Sequence, residues 1–406
     1  MTSDPDIAAT SREPSAVTVQ HWMAALAVAI VAFVLVTTEY LPVGLIPGIA
    51  ADLGVSYGEA GLTVTLPAMV AAAAAAVVSV VTGRMDRRLV LAAMTVVLFV
   101  GNAVSFVAPS YGVLLFGRVL VGVALGGFWP IGITVGPRIM PEPTLTRGTT
   151  VIMSGFALGM IAGVPAGTLL GSGLGWRAAF GVAGAVSLLA ILALATLLPS
   201  LPPRHVARWR DLAALLTVPQ ARIGLLLAAV TFGGVFLAYP FLAPFLQLQA
   251  RMADDHISLM LLVFGVAGFF GNIALGWLAG RGNRLAMATA AIGLAAPMLL
   301  LAVNGKGQTV TSALIAVWGA AYGGLSIVCQ SWCAKAAPVE LERGGALFPA
   351  TVLTSVAIAS WIGGEIVDSF GVVAIMVAGG IACLMALPLV ALSGRATHST
   401  LGEGPS

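Results

Sequence analysis

Residues 155–171 read GFALGMIAGVPAGTLLG and carry a glycine at every fourth position. Because residues i and i+4 lie on the same face of a helix, these glycines form one continuous stripe. The surrounding run 149–174 contains no charged residue, and in lipid a stripe of small residues lets a second helix approach closely. Pro165 lacks a backbone donor, so we expect a bend there. Such a helix is typical of a moving part, and equally of a tightly packed helix pair.

The composition of the whole chain indicates a membrane protein. Of its 406 residues, 59% are hydrophobic and only 9% are charged, whereas soluble domains contain about 25% charged residues. The mean hydropathy is +1.03. The sequence shows no period-2 alternation of the kind that membrane β-barrels have, and lipid otherwise accepts only helices. The sequence therefore predicts an all-α integral membrane protein.

Apolar runs long enough to cross a bilayer, about 20 residues each, occur twelve times. They predict spans at residues 22–48, 58–82, 89–108, 112–137, 149–171, 178–198, 223–248, 258–279, 285–303, 309–334, 346–367 and 371–392. The long link at 199–222 separates an N-terminal six-helix half (22–198) from a C-terminal six-helix half (223–393), with tails at 1–21 and 394–406. The second part of this link fits an amphipathic surface helix or a plain linker.

The positive charges predict the orientation of the spans. With the N-terminus inside, fifteen of the nineteen lysines and arginines lie in inward segments, three lie in outward links, and Arg118 lies inside a span. Segments that stay on the cytoplasmic side carry the excess of positive charge. We therefore expect both tails and the long link to be cytoplasmic.

The two halves resemble each other in sequence. The segment GRMDRR (83–88) follows span 2, and GWLAGR (276–281) follows span 8, 193 positions later. The stripe of span 5 has a weaker counterpart in span 11, where small residues again lie four apart: Thr351, Ser355, Ala359 and Gly363. This pattern predicts a duplicated six-helix unit, an organisation that places a substrate site between the halves.

Several motifs resemble the major facilitator superfamily over all twelve spans, and most of all its drug–proton antiporter branch. GRMDRR is a shortened form of the signature after span 2, and span 4 carries Arg118 with glycines four and eight residues later. Span 5 matches the antiporter motif around Pro165. The segments TTEYLPVGLIP (37–47), ALGGFW (124–129), GWRAAF (175–180) and LPSLP (198–202) resemble the purine-nucleoside and sugar efflux subgroup. The purine pumps of that subgroup tend to carry an arginine where this chain has Ala243.

The resemblance implies the major facilitator fold, two six-helix repeats, and roles for individual residues. Conformational or gating roles fall on Gly83, Asp86, Arg87, Arg88, Gly122, Gly126, Gly155, Gly159, Gly163, Pro165 and Gly167. In this family spans 1, 4, 7 and 10 line the cavity, so the substrate-binding candidates are Tyr40, Trp129, Tyr239, Phe241, Trp318, Tyr322 and Gln330, together with Glu365 of span 11. Aromatic residues in spans also serve as interfacial or packing residues.

Two ionisable residues, Glu39 and Arg118, lie deep in apolar spans. Each costs about 2.5–3.5 kcal/mol at the centre of a membrane helix on insertion scales. We interpret both as proton-coupling residues, with Glu39 as the proton carrier. The alternatives for Glu39 are hydrogen bonds to its neighbours or a permanent pair with Arg118. The alternatives for Arg118 are a salt bridge or a cap on the carbonyls of a broken helix.

The remaining sequence argues against other function classes. The spans hold no clustered acids, histidines or nucleophile–base pairs, and the chain has no phosphate-binding loop; we expect neither enzymatic activity nor a cofactor, metal or nucleic acid. We predict a monomeric secondary transporter of the cell inner (plasma) membrane. It would exchange protons for a small organic molecule such as a nucleoside, sugar or drug, exporting it by alternating access. The alternative is a proton symporter or facilitator that imports a small metabolite.

Overall fold

The computed structural model describes residues 17–141, 144–202, 218–304, 307–336 and 347–399. Within these ranges all regular structure is helical, and twelve helices are long and apolar enough to cross a membrane. This confirms the predicted all-α membrane fold. Most of the predicted N-terminal tail, the linker segment 203–217 and the last residues of the C-terminal tail lie outside the described residues, so the domain boundaries stay a prediction.

The spans are numbered in chain order. They are α1 (Val19–Leu53), α2 (Tyr57–Val81), α3 (Arg87–Val107), α4 (Tyr111–Ile139), α5 (Leu145–Leu174), α6 (Trp176–Leu197), α7 (Pro219–Leu248), α8 (Asp254–Arg281), α9 (Asn283–Asn304), α10 (Gln308–Ala336), α11 (Leu347–Phe370) and α12 (Val372–Leu384, continued by Ala386–Ser399). We call the end with the α1–α2 link (54–56) the outer end, and the end with the α2–α3 link (82–86) the inner end.

Three described spans are interrupted near their middle: α5, α7 and, at Met385, α12. α5 contains a π-helical turn at Gly159–Gly163, directly before Pro165. α7 contains a 3-10 turn at Tyr239–Phe241, around Pro240. A proline cannot donate to the carbonyl four residues earlier, so the helical hydrogen-bond pattern changes at such positions. The π-helical turn lies where the sequence predicts a bend.

The glycine stripe of α5 packs against α1. A Cβ atom added to Gly159 would lie 2.7 Å from the carbonyl oxygen of Phe33, and one at Gly163 would lie 2.9 Å from the Cβ atom of Thr37. The contacted residues of α1 are themselves four apart: Ala29, Phe33, Thr37, Leu41 and Leu45. In this conformation the stripe therefore holds a helix pair together inside one half of the molecule, which is the second of the two interpretations above.

The C-terminal half contains the equivalent pair, α7 and α11. A Cβ atom at Gly363 would lie 2.5 Å from the carbonyl oxygen of Leu237, and the Ser360 hydroxyl donates to the Phe236 carbonyl over 3.2 Å. The weaker stripe of α11 thus faces α7, as the stripe of α5 faces α1. This equivalence fits the duplicated unit that the sequence predicts.

Among the described residues, the two halves meet mainly along three helix pairs, α2–α11, α1–α7 and α5–α8. Their close backbone approaches lie at the outer end and in the middle. Gly58 contacts Gly364 near the outer end, where a Cβ atom on Gly58 would lie 2.5 Å from the Gly364 carbonyl oxygen. A Cβ atom on Gly265 of α8 would lie 2.9 Å from the Cα atom of Ile161. Glycine therefore sets the distance between the halves at both crossings.

Candidate functional site

Arg118 is fully buried in α4 and is held by backbone carbonyls of two other spans. Its Nε donates to the carbonyl oxygen of Thr63 over 2.8 Å, and its Nη2 donates to the carbonyl oxygen of Glu39 over 3.1 Å. Pro67 follows Thr63 by four residues and has no N–H, so the Thr63 carbonyl has no donor within its own helix. Arg118 therefore caps a carbonyl of a broken helix, as one of the alternatives above proposes.

The position of Arg118 depends on the glycines that follow it. A Cβ atom on Gly122 would lie 2.7 Å from the Pro67 carbonyl oxygen, and one on Gly126 would lie 2.5 Å from the Ala71 carbonyl oxygen. Both glycines therefore let α4 lie directly on α2 at the level of Pro67. This close packing brings the guanidinium within reach of the Thr63 carbonyl, which explains the spacing of the motif in physical terms.

The carboxyl group of Glu39 lies beside Arg118 without being locked to it. Glu39 is 7% exposed, and the described residues contain no ion pair within 4.0 Å between it and Arg118. The two groups are nevertheless close enough to interact electrostatically. The Nη1 atom of Arg118 is buried and has no hydrogen-bond partner. A buried charge with an unpaired donor is costly, so the state of this guanidinium depends on whether Glu39 carries a charge.

Tyr40 connects this charged pair to a group of rings from the other half. Its ring centroid lies 6.0 Å from that of Phe236 and 6.3 Å from that of Tyr239. Its hydroxyl interacts electrostatically with Glu39 and with Tyr322. Tyr239 stacks on Tyr322 at 5.9 Å and on Phe264 at 4.9 Å. We call these rings, from α1, α7, α8 and α10, the central aromatic group: Tyr40, Phe236, Tyr239, Phe264, Trp318 and Tyr322.

The central aromatic group can bind a flat molecule and also offers polar atoms. Tyr40 and Tyr322 are half-buried, so their rings border open space. The Nε1 atom of Trp318 is buried and has no hydrogen-bond partner. Aromatic rings stack on nucleobases and similar planar groups, and a few polar atoms in a largely apolar site fix the orientation of a ligand.

The structure brings four of the sequence candidates together: Tyr40, Tyr239, Trp318 and Tyr322. Sequence reasoning missed Phe236 and Phe264. Phe236 lies three residues before Tyr239 and so on the same helical face, which is a usable signal. Phe264 gave no such signal, because it lies on α8, outside the spans that the resemblance assigns to the cavity.

The other candidates lie outside the central aromatic group. Trp129 is half-buried and packs against Phe128 and Phe156, with ring centroids 5.6 and 5.3 Å away. Gln330 is exposed, two turns from Tyr322 on α10, and its Nε2 donates to the Ser326 hydroxyl over 2.9 Å.

Phe241 lies in a packed junction of helices, and Glu365 lies on an exposed helical face. The fully buried ring of Phe241 lies 2.7 Å from the Cβ position of Gly61 and 3.1 Å from that of Gly363, so it packs where α2, α7 and α11 meet. Glu365 is exposed and lies one turn from Trp361 on a helical face that is exposed and apolar. Their role as substrate contacts stays a prediction.

The loop after α2 makes its described contacts inside the N-terminal half. Asp86 caps α3: its Oδ1 accepts from the backbone N–H groups of Arg88 (2.8 Å) and Leu201 (2.9 Å), and its Oδ2 accepts from the Ser200 hydroxyl. Burial raises the pKa of Asp86, but the hydrogen bonds from Ser200, Leu201 and Arg88 outweigh it, so the pKa is lowered from its ordinary value. Arg87 donates to the carbonyls of Thr82 and Gly83.

The twelve spans of the described residues form two equivalent sets around an aromatic and charged centre, which is the architecture of a membrane transporter. The family model of the Major Facilitator Superfamily matches residues 28–342 and 224–403. The chain belongs to this superfamily, and it is a multi-pass membrane protein.

Two bacterial proteins are among its relatives. The chain is 31% identical over 372 residues to the purine ribonucleoside efflux pump NepI of Salmonella paratyphi A, covering 91% of this chain and 94% of the pump. It is 32% identical over 380 residues to the protein called transcription regulatory protein OpdE of Pseudomonas aeruginosa, covering 92% of this chain and 94% of that protein. A bacterial homologue of the human lysosomal transporter Spinster has the same fold, with a TM-score of 0.77, 16% identity and coverage of 96% of this chain and 100% of the homologue.

Proposed function

We propose that this chain exports a small organic molecule, such as a nucleoside, sugar or drug, in exchange for protons by alternating access. The observation that carries this proposal is the contact between Glu39, a buried acid, and an aromatic group built from both halves of the molecule. Proton binding at one end of Tyr40 and substrate binding at the other would thus involve adjacent groups. The relatives named efflux pumps support export as the direction.

The closed outer end fits one step of such a cycle. With the predicted orientation this end faces the outside, and the close approaches of α2 to α11 and α5 to α8 correspond to a state that is closed to the outside. Substrate would then enter from the cytoplasm and reach the half-buried rings of Tyr40 and Tyr322. Repeated halves that rock about a central site would carry it outwards.

Glu39 is suited to couple the proton to this movement because its protonation state decides whether the buried positive charge of Arg118 is compensated. An ionised Glu39 compensates the guanidinium, whose Nη1 atom has no other partner. A protonated Glu39 leaves Arg118 with the two backbone carbonyls alone. The two protonation states therefore stabilise different arrangements of α1, α2 and α4, and the ring of Tyr40 transmits the difference to the substrate site.

The decisive experiment measures purified protein in vesicles with an imposed pH gradient. We expect uphill transport of at least one member of a panel of purine nucleosides, sugars and hydrophobic drugs. Glu39→Gln should abolish uphill transport while substrate-for-substrate exchange continues, because the amide cannot release a proton. Asp255→Asn, which alters an exposed carboxyl in the first turn of α8, is the matched control and should transport normally.

Four results would contradict the proposal or its assignment of the proton to Glu39. Transport that ignores the pH gradient would indicate a facilitator, and accumulation inside cells would indicate symport. Normal uphill export by Glu39→Gln would exclude Glu39 as the carrier. Because Glu39 forms no ion pair with Arg118 in the described residues, we expect the variant to fold. A large fall in its melting temperature, together with loss of every activity, would assign Glu39 a structural role instead.

A further inference from the structure

The first turn of α2 is completed by a residue of the other half. Ser56 and Glu59 form a local capping box, in which the Ser56 N–H donates to Glu59 Oε2 over 2.8 Å and the Glu59 N–H donates to Ser56 Oγ over 3.0 Å. Asp368, at the outer end of α11, supplies a further acceptor. Its Oδ1 accepts from the Gly58 N–H over 2.9 Å, and its Oδ2 accepts from the Ser56 hydroxyl over 2.6 Å.

This contact uses both oxygens of the Asp368 carboxylate. The first N–H groups of a helix have no partner within the helix, and its N-terminus attracts negative charge. Asp368 meets both requirements of α2, although 310 residues separate it from Gly58. The glycines permit the approach, because a Cβ atom on Gly58 would overlap the Asp368 carboxylate and the Gly364 carbonyl. The carboxylate cannot keep both bonds if the outer ends of α2 and α11 separate.

We propose that Asp368 is a latch between the halves, which stabilises the conformation closed at the outer end by capping α2 in that conformation alone. Opening of the outer end would release the carboxylate and the Gly58 N–H to water. The latch sets the proportion of closed to open molecules and the rate of each opening. It concerns the empty protein, so it holds whether or not the proposed substrate and proton coupling are correct.

The test measures distances across each end of the bundle in the absence of substrate. Spin labels at Ser110→Cys and Gln308→Cys report the outer ends of α4 and α10, one in each half; labels at Met85→Cys and Leu285→Cys report the inner end. These four positions are exposed. The three native cysteines are buried and need not be removed.

We expect Asp368→Ala to raise the ratio of outer-open to outer-closed molecules about three- to ten-fold, the range that follows from losing hydrogen bonds to a partly exposed carboxylate. The inner distance should shorten at the same time. Ser56→Ala should produce a smaller change in the same direction. Asp255→Ala removes an exposed acid from the first turn of α8 on the same side of the bundle, and it should leave both distance distributions unchanged.

A cross-link provides a second test that does not require Asp368→Ala to fold. Ser56→Cys with Asp368→Cys should form a disulfide that fixes the outer-closed distance and stops transport. A reductant should restore the opening of the outer end and transport. The latch would be refuted if folded Asp368→Ala kept the wild-type distances, or if the cross-linked protein still opened at its outer end. Failure of substrate transport with altered distances would count against the proposed substrate and not against the latch.

Discussion

Two aspartates of this protein make nearly the same contacts and have different consequences. Asp86 and Asp368 each accept a backbone N–H of the first turn of a helix with one oxygen and a serine hydroxyl with the other. Asp86 binds groups of its own half, whereas Asp368 binds groups of the other half. The first contact is compatible with any movement of the halves, and the second opposes one. Where a bond lies relative to the moving boundary decides whether it stabilises the fold or selects a conformation.

The same distinction applies to the glycines. The stripe of α5 contacts α1 inside the N-terminal half, while Gly58, Gly364 and Gly265 contact across the boundary. Changes inside a half should therefore lower the free energy of unfolding. Changes across the boundary should redistribute conformations at nearly constant stability.

The largest effect should follow from overfilling the α1–α5 contact. Gly155→Leu places its side chain against the carbonyl of Ala29, so we expect a loss of about 3 kcal/mol of stability and no transport. Gly173→Leu is the matched control in the same helix, because nothing lies within 4 Å of its Cβ position. Thermal unfolding in detergent measures both. A stable Gly155→Leu would remove the distinction between contacts within and across the halves.

A smaller loss should follow from removing the guanidinium of Arg118. Arg118→Met leaves the Thr63 carbonyl, which faces Pro67 in its own helix, buried without a donor and removes a donor from the Glu39 carbonyl, which should cost about 2–3 kcal/mol. Arg118→Lys, with a single nitrogen, should fall between this variant and the wild type. Arg222→Met removes an exposed arginine and serves as the control. An unchanged melting temperature of Arg118→Met would mean that the Thr63 carbonyl finds another donor.

The smallest effect should follow from Asp86→Asn, which weakens a helix cap by about 1 kcal/mol and should leave the distances between the halves unchanged. The lowered pKa of Asp86 also fixes the sign of a pH dependence. Its contribution is fully present above the ordinary carboxyl pKa and is lost as the pH falls through the lower folded-state value. The melting curves of the wild type and of Asp86→Asn should therefore converge at low pH. A shift in the distances between the halves in Asp86→Asn would instead make Asp86 a latch, the role that we assign to Asp368.

Hydropathy predicted the spans because the bilayer sets a minimum length of apolar sequence, but it did not predict where the helices end. α1 extends from Val19 to Leu53, beyond the predicted 22–48. Its outer end is held by polar contacts, since Asp52 forms an ion pair with Arg177 at 2.5 Å. The glycine stripe likewise predicted a close neighbour without identifying α1, because small residues specify a distance and not a partner.

The site was predictable where its residues carry a helical period and unpredictable where backbone atoms form it. Tyr40, Tyr239, Trp318 and Tyr322 were found as aromatic residues of the cavity-lining spans. The partners of Arg118 are carbonyl oxygens, which every residue possesses, so no residue type marks them. The only trace in the sequence is Pro67, four residues after Thr63. The inter-half bonds of Asp368 depend on how the halves dock, which the sequence of either half alone does not contain.

The duplication has left the central site asymmetric, and this asymmetry has an electrical consequence. Both halves contribute a tyrosine to the central aromatic group, Tyr40 from α1 and Tyr239 from α7, but the preceding residue is an acid, Glu39, in α1 and Ala238 in α7. Among the described residues, Glu39 is the only buried acid. Under the proposed exchange, each cycle then moves one proton inwards against one neutral molecule outwards, and a net positive charge enters the cell. The membrane potential would add about 2.3 kcal/mol per 100 mV to the driving force of the pH gradient, so export would continue when the pH inside and outside are equal.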